Sequence, residues 1–181
     1  MISTCFPHSN VMLPILAAIG LAAAHPAHGQ EQAWITQAGS VETDAIEGTA
    51  PDDSAGHFAC GWTTGDLFAA SRGGLDAWIR HSDSTGRPLW SLQLGTTTND
   101  AANAVVSDGQ GGLFVGGHTN GNLAGQHQGM ADAWLARYDS SGSLLWSTQL
   151  ATGQFDTITQ LDSDGMGGVL VGGTTGGTLG A

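Results

Sequence analysis

The chain is predicted to be all-β, built from four-stranded antiparallel units that recur every 56 residues. Three observations predict this. Trp34, Trp90 and Trp146 stand 56 residues apart. The segments they open, WITQAGSVETDA, WSLQLGTTTNDA and WSTQLATGQFDT, stay in phase without a gap. The 29 glycines fall at fixed places in the repeat, which marks them as turn residues rather than low-complexity filler. A period of this size is the mark of a repeat architecture.

The first segment stands apart from the repeat. Val11 to Ala24 is an apolar run, in the range of a secretory h-region and too short to span a bilayer. Ala27-His28-Gly29 offers a cleavage site before Gln30, so residues 1–29 read as a signal peptide and the exported chain as residues 30–181. The n-region lacks Lys and Arg, and the alternative is an apolar N-terminal strand or helix. Cys5 lies ahead of the apolar run, away from a lipoprotein anchor position. Cleavage leaves Cys60 alone, so no internal disulfide forms and the core must hold the domain. Cys60 aligns with Gly116 and Gly172 and reads as a small buried apolar residue.

The repeat then divides into strands. An outer strand is expected at 33–38, a first blade at about 44–94, a second at about 100–150 and a partial third at about 156–175. In the middle unit the strands are Ala101–Ser107, Leu113–Thr119, Asp132–Asp139 and Leu144–Leu150. The turn Asp108–Gly112 is rich in residues that tolerate positive φ. Asp83-Ser84-Thr85-Gly86 and Asp139-Ser140-Ser141-Gly142 place Asp first and Gly last, the chemistry of a three-residue hairpin loop. Four short antiparallel strands in about 50 residues is the size of one β-propeller blade, so the architecture is a partial β-propeller. Trp90, Trp134, Trp146, Leu113 and Phe114 are expected between blades. Trp62 aligns with His118 and Thr174; a position that varies on a repeated scaffold is where a ligand surface can lie.

These residues resemble the SBBP family, the bacterial "seven-bladed beta-propeller" repeats. The matching stretches are DAANAVVSDGQGGLFVGGHTNGNLAG from Asp100, DAWLARYDSSGSLLWSTQL from Asp132, and their equivalents one period away. The resemblance implies a propeller, commonly in extracellular or cell-envelope proteins, and carries no catalytic motif. The first unit departs from it at Ala50–Ser54, and the repeats fall well short of seven. About two and three-quarter blades are counted, so the chain is expected to be a fragment of a longer propeller. The alternative is closure by self-association into a homo-oligomeric ring.

Composition narrows the partners. The formal net charge is −12, with no lysine and only Arg72, Arg80, Arg87 and Arg137. Such a chain has no electrostatic footprint for nucleic acid or anionic membranes, and no membrane insertion is expected after signal cleavage. Recurring acids, Asp44/Asp100/Asp156, Asp76/Asp132 and Asp52/Asp108/Asp164, are expected to fix loops by accepting backbone N–H bonds. Asp162 and Asp164, in a Gly-rich bend, are the best candidates for a Ca²⁺ site, although they supply only two carboxylates. No other cofactor is expected. His57, His81, His118 and His127 match no zinc spacing and read as exposed or strand-edge residues. No nucleophile elbow or phosphate loop is present, and Glu31, Glu42 and Glu47 all lie in the first unit, so no catalytic residue is assigned.

The expected function is a secreted, periplasmic or cell-surface interaction module with an unidentified protein or glycan partner, its ligand surface at Trp62 and His118. The alternative is an enzyme whose site lies in further blades, either glycan-acting or quinone-dependent. The stretch YDSSGSLLWSTQL from Tyr138 is similar to the repeat ending of quinone-dependent dehydrogenase propellers, which bind cofactor in the channel of a larger ring.

Overall fold

Short runs of apolar residues broken by Asp- and Gly-bearing turns make short antiparallel strands that must pack sheet on sheet. The computed structural model describes residues 34–178 and a two-residue strand β1 (Ala17–Ala18), which pairs with β2 (Thr36–Gln37). The cleavage site expected after Gly29 lies outside the described residues. Blade one is a four-stranded antiparallel meander of β3 (Asp44–Pro51), β4 (His57–Thr63), β5 (Asp76–Ser82) and β6 (Pro88–Leu94). Blade two repeats the order with β7 (Asp100–Ser107), β8 (Leu113–Thr119), β9 (Asp132–Tyr138) and β10 (Leu144–Leu150). A third sheet holds β11 (Asp156–Ser163) and β12 (Val169–Thr175). Among the described residues there is no helix, and hence none that could cross a membrane.

The turns follow from their side chains. Asp108 Oδ1 accepts the amides of Gln110 and Gly112, each at 2.8 Å. Asp139 Oδ1 accepts those of Ser141 and Ser143 at 2.8 and 2.9 Å, and Gly142 closes the turn at φ +81°. Ala55 holds φ +69° in the β3–β4 turn, where the next two units carry Gly111 and Gly167.

Alternation along β9 divides the core. Trp134, Ala136 and Tyr138 pack with Phe58, Cys60 and Ile79 of blade one, while Ala133 and Leu135 pack with Ile158 of the third sheet. β9 is therefore buried on both faces, which is why it reads as a nearly continuous apolar run.

The tryptophans at the start of the outer strands tie neighbouring sheets together. Trp90 donates its indole N–H to Ser140 O at 3.0 Å, and its ring lies where a Cβ on Gly142 would stand, 2.9 Å from that position. Trp34 makes the same contact with Ser84 O at 2.9 Å and with Gly86. Leu113, Phe114 and Trp134 are buried and Trp90 is half-buried, as expected of residues between blades. Trp146 is not: it is 40% exposed. The third sheet, in its described part, presents no β-turn of the kind that covers Trp90.

Candidate functional site

The innermost strand of each sheet carries a one-residue bulge. Register shifts between Ile46 and Gly48, Ala102 and Ala104, and Ile158 and Gln160 leave Glu47, Asn103 and Thr159 unpaired. A bulge re-aims its extra side chain out of the ladder. Asn103 reaches the third sheet, donating from Nδ2 to Thr157 Oγ1 at 3.0 Å and to Ile158 O at 2.9 Å. Glu47 accepts the indole N–H of Trp62 at 2.8 Å.

Trp62 and His118 hold equivalent places on β4 and β8, opposite Ala45 and Ala101. Both are half-buried, while Thr174 is exposed. Burial pushes the His118 imidazole below its ordinary value; the carboxylates of Asp100 and Glu47 pull it back only in part. Its ring lies 6.0 Å from that of Phe155. Glu47 thus bonds Trp62 within blade one. Sequence reasoning missed Glu47, yet Glu47, Asn103 and Thr159 share one repeat position and are all polar.

The recurring acids hold the loops around this face. Asp100 Oδ2 accepts the Thr96 amide at 2.6 Å and the Thr96 hydroxyl at 2.9 Å, and its other oxygen accepts the Thr119 hydroxyl. Asp44 and Asp156 accept from Thr63 and Thr175 in the same way. Burial raises the Asp156 carboxyl, but bonds from Thr175 and Thr152 outweigh it and hold it below the usual range. Asp76 Oδ2 accepts the Arg72 amide and the Gln93 side chain, each at 2.9 Å, while Gln93 Oε1 takes the amides of Leu67, Phe68 and Ala69. Asp132 and Gln149 reproduce the arrangement in part: Asp132 Oδ2 accepts the Gln128 amide and the Gln149 side chain, while Gln149 Oε1 takes the Ala124 amide.

At the Gly-rich bend, Asp164 Oδ1 accepts the amides of Met166 and Gly168, each at 2.8 Å, and Asp162 Oδ1 accepts that of Ser163 at 2.9 Å. Asp164 does what Asp108 does one repeat earlier: it shapes a turn. Among the described residues no three or more His, Cys, Asp or Glu side chains gather to hold a metal ion.

None of the four histidines is fully exposed, and His127 Nδ1 lies 3.1 Å from Asp132 Oδ2; His81 departs furthest from expectation. His81 is buried against Phe58, and its Nε2 lies 2.8 Å from Asp52 Oδ2. Blade two has the equivalent pair, Arg137 Nε and Nη2 at 3.0 and 2.8 Å from Asp108 Oδ2. A basic residue at 81 and 137 opposite Asp at 52 and 108 was readable in the aligned repeats. Cys60 is fully buried, and burial pushes its thiol up to about 12, so it is an inert core group.

Four-stranded antiparallel meanders stacked face to face define a partial β-propeller. Residues 89–124 match the family model of the SBBP beta-propeller repeat. The matched stretch runs from β6 of blade one through β7 and β8 of blade two, so its frame straddles two blades. No curated protein matches the chain.

Proposed function

We propose that this structural repeat module is exported and that its inner-strand face binds a protein or glycan partner through Trp62 and His118, with Glu47 between them. The observation that carries the reading is the bulged Glu47, whose carboxylate accepts the Trp62 indole N–H at 2.8 Å at the repeat position that varies between Trp62 and His118. The face combines an indole, a carboxylate and a weakly basic imidazole. An indole stacks on the apolar side of a sugar ring or on a planar side chain, and the carboxylate accepts hydroxyl or amine donors. With a formal net charge of −12, neutral or basic partners are favoured over acidic ones.

Glycan-array and protein-capture screens test the reading, each run with the wild-type chain and with Trp62→Ala and His118→Ala. The expected result is a ligand whose binding falls at least about tenfold in either variant, the loss of roughly 1.4 kcal/mol. Ligands that bind all three chains equally would move the site elsewhere. Export is tested by sequencing the N-terminus of the mature protein, expected at Gln30.

A further inference from the structure

Between blades one and two lies a cavity of about 260 Å³, walled by Leu94 of β6 on one side and by β9 and β10 on the other. Both walls belong to complete four-stranded blades. We infer that this cavity binds a single sugar acid, a hexuronate, with its carboxylate on Arg72 and its hydroxyls on Asn122, Ser147 and Tyr138. The cavity exists because the two units differ at two inward positions. In blade one the corresponding space beside Trp78 is filled: the Arg80 guanidinium stands over the Phe68 ring, 5.0 Å from its centroid, and only about 20 Å³ is left. One period on, beside Trp134, these residues are Ala136 and Ala124. A guanidinium stacked on a phenyl ring is replaced by two methyl groups, and the space they vacate is the cavity.

The lining specifies the occupant. An apolar void of this size would weaken the junction between the blades, but polar groups reach this one. Tyr138 is 7% exposed, and its hydroxyl has no hydrogen-bond partner among the described residues. An unpaired hydroxyl at that depth carries a desolvation cost that a ligand hydroxyl offsets. Asn122 Oδ1 takes the His127 amide at 2.7 Å, which leaves its Nδ2 to donate. Ser147, opposite Ala136 in the β9–β10 register, adds a second hydroxyl. Arg72 is the one charged residue of the lining, and it forms no ion pair among the described residues. One cation with no acid beside it selects a single negative charge, while the formal net charge of −12 turns polyanions away. Donors and acceptors spaced along the wall suit a ring that bears hydroxyls. The volume falls just below the roughly 300–1,000 Å³ of sites for drug-sized ligands, which limits the occupant to about one ring. None of Glu47, Trp62 and His118 lines the cavity, so this site stands or falls independently of that face.

The test is calorimetric titration of the full chain with D-galacturonate, D-galactose and acetate. The expected result is saturable binding of one galacturonate per chain, with galactose and acetate each at least about tenfold weaker. Arg72→Gln, which installs the residue found one period later, should weaken galacturonate at least about tenfold, and Tyr138→Phe about fivefold. The double variant Ala124→Phe, Ala136→Arg carries the blade-one stack into blade two and should abolish binding. Should it fail to fold, as near-UV circular dichroism would show, the two single variants carry the test. Absence of galacturonate binding at millimolar concentration would overturn the inference. So would acetate or galactose binding as tightly as galacturonate, or an Arg72→Gln chain that binds like the wild type. A galacturonate trimer that binds at least as well as the monomer supports the site as one for the end of an acidic polysaccharide; a trimer that does not bind supports it as one for the free acid.

Discussion

Replacing His81 with alanine should destabilise the chain by about 3 kcal/mol, and the structure shows where that cost arises. The imidazole lies 4.5 Å from the Phe58 ring and 5.6 Å from that of Trp90, and its Nε2 is 2.8 Å from Asp52 Oδ2. A hydrogen bond to a charged group contributes about 1.5–3 kcal/mol. Ring packing between two aromatics adds about 1 kcal/mol. Asp52 is not orphaned by the change, because its oxygens still accept the Ser54 and Gly56 amides at 2.8 and 2.6 Å and the Ser54 hydroxyl at 2.9 Å. The loss therefore stays below the larger penalty of stranding a buried charge. His81→Arg should recover most of it, since Arg137 makes the same contact to Asp108 from the equivalent place on β9.

The pH dependence carries a sign. Burial raises the Asp52 carboxyl, but hydrogen bonds from His81, Ser54 and Gly56 outweigh burial and hold it below 3.8. A carboxyl whose folded value lies below its unfolded value stabilises the fold above the unfolded value and loses that stabilisation as pH falls through the folded one. The His81→Ala penalty should thus be full at neutral pH and shrink below about pH 4, where the unfolded carboxyl begins to take up its proton. Urea unfolding followed by tryptophan fluorescence at pH 7 and pH 3 reads both quantities. A penalty under about 0.5 kcal/mol, or an arginine variant as unstable as the alanine one, would refute the pair's role.

Ala55→Gly should stabilise the chain by about 1 kcal/mol, because alanine at φ +69° carries a steric cost that glycine does not; a lower urea midpoint in the variant would contradict this. Trp90→Ala should cost about 3 kcal/mol and Trp146→Ala about 1 kcal/mol or less, since only the first removes a packed inter-blade contact; equal midpoints would show the two rings to be equivalently buried. Cys60 should resist iodoacetamide at pH 8 in the native chain and react on unfolding, as mass spectrometry would show, because it is fully buried and its thiol is pushed up to about 12.

The features legible in the sequence were those set by local chemistry. An Asp that accepts two turn amides and a Gly that takes positive φ are needed within a few residues of each other, so the turns at Asp83–Gly86 and Asp139–Gly142 announced themselves. The two-sided burial of β9 was likewise written in the alternation of Ala133 and Leu135 with Trp134 and Ala136. The rest depends on which sheet faces which. Whether a tryptophan in the repeat is covered is decided by the neighbouring turn, not by its own strand, and Trp146 could not be separated from Trp90 by its flanking residues. A bulge is a mismatch of two residues against one between strands, which no single strand displays, so the linkage of Glu47 to Trp62 became visible only in the paired register. The pairing of His81 with Asp52 shows only when the repeats are aligned, where His81 and Arg137 fall at one position and Asp52 and Asp108 at another.

The same division explains how the module is put together. The strand ladders are completed largely within each blade, but Asp53 of blade one caps the Gly111 amide of blade two, and the outer-strand tryptophan is completed only by the sheet that follows: Trp34 by blade one, Trp90 by blade two. Asn103 adds a further link across sheets, from a bulge on β7 to the backbone of β11. Stability in such an array is shared between repeat and interface, so damage at one junction should weaken both neighbours without altering the fold of either. Bulge residues that are not needed for such a link are free to differ between repeats, and Glu47 is the one whose bond is made to an indole at the variable position. In such a scaffold the repeated residues hold the shape and the unrepeated ones are free to vary, which is the physical ground for the proposal that Glu47, Trp62 and His118, rather than the acids that cap the loops, form the binding face.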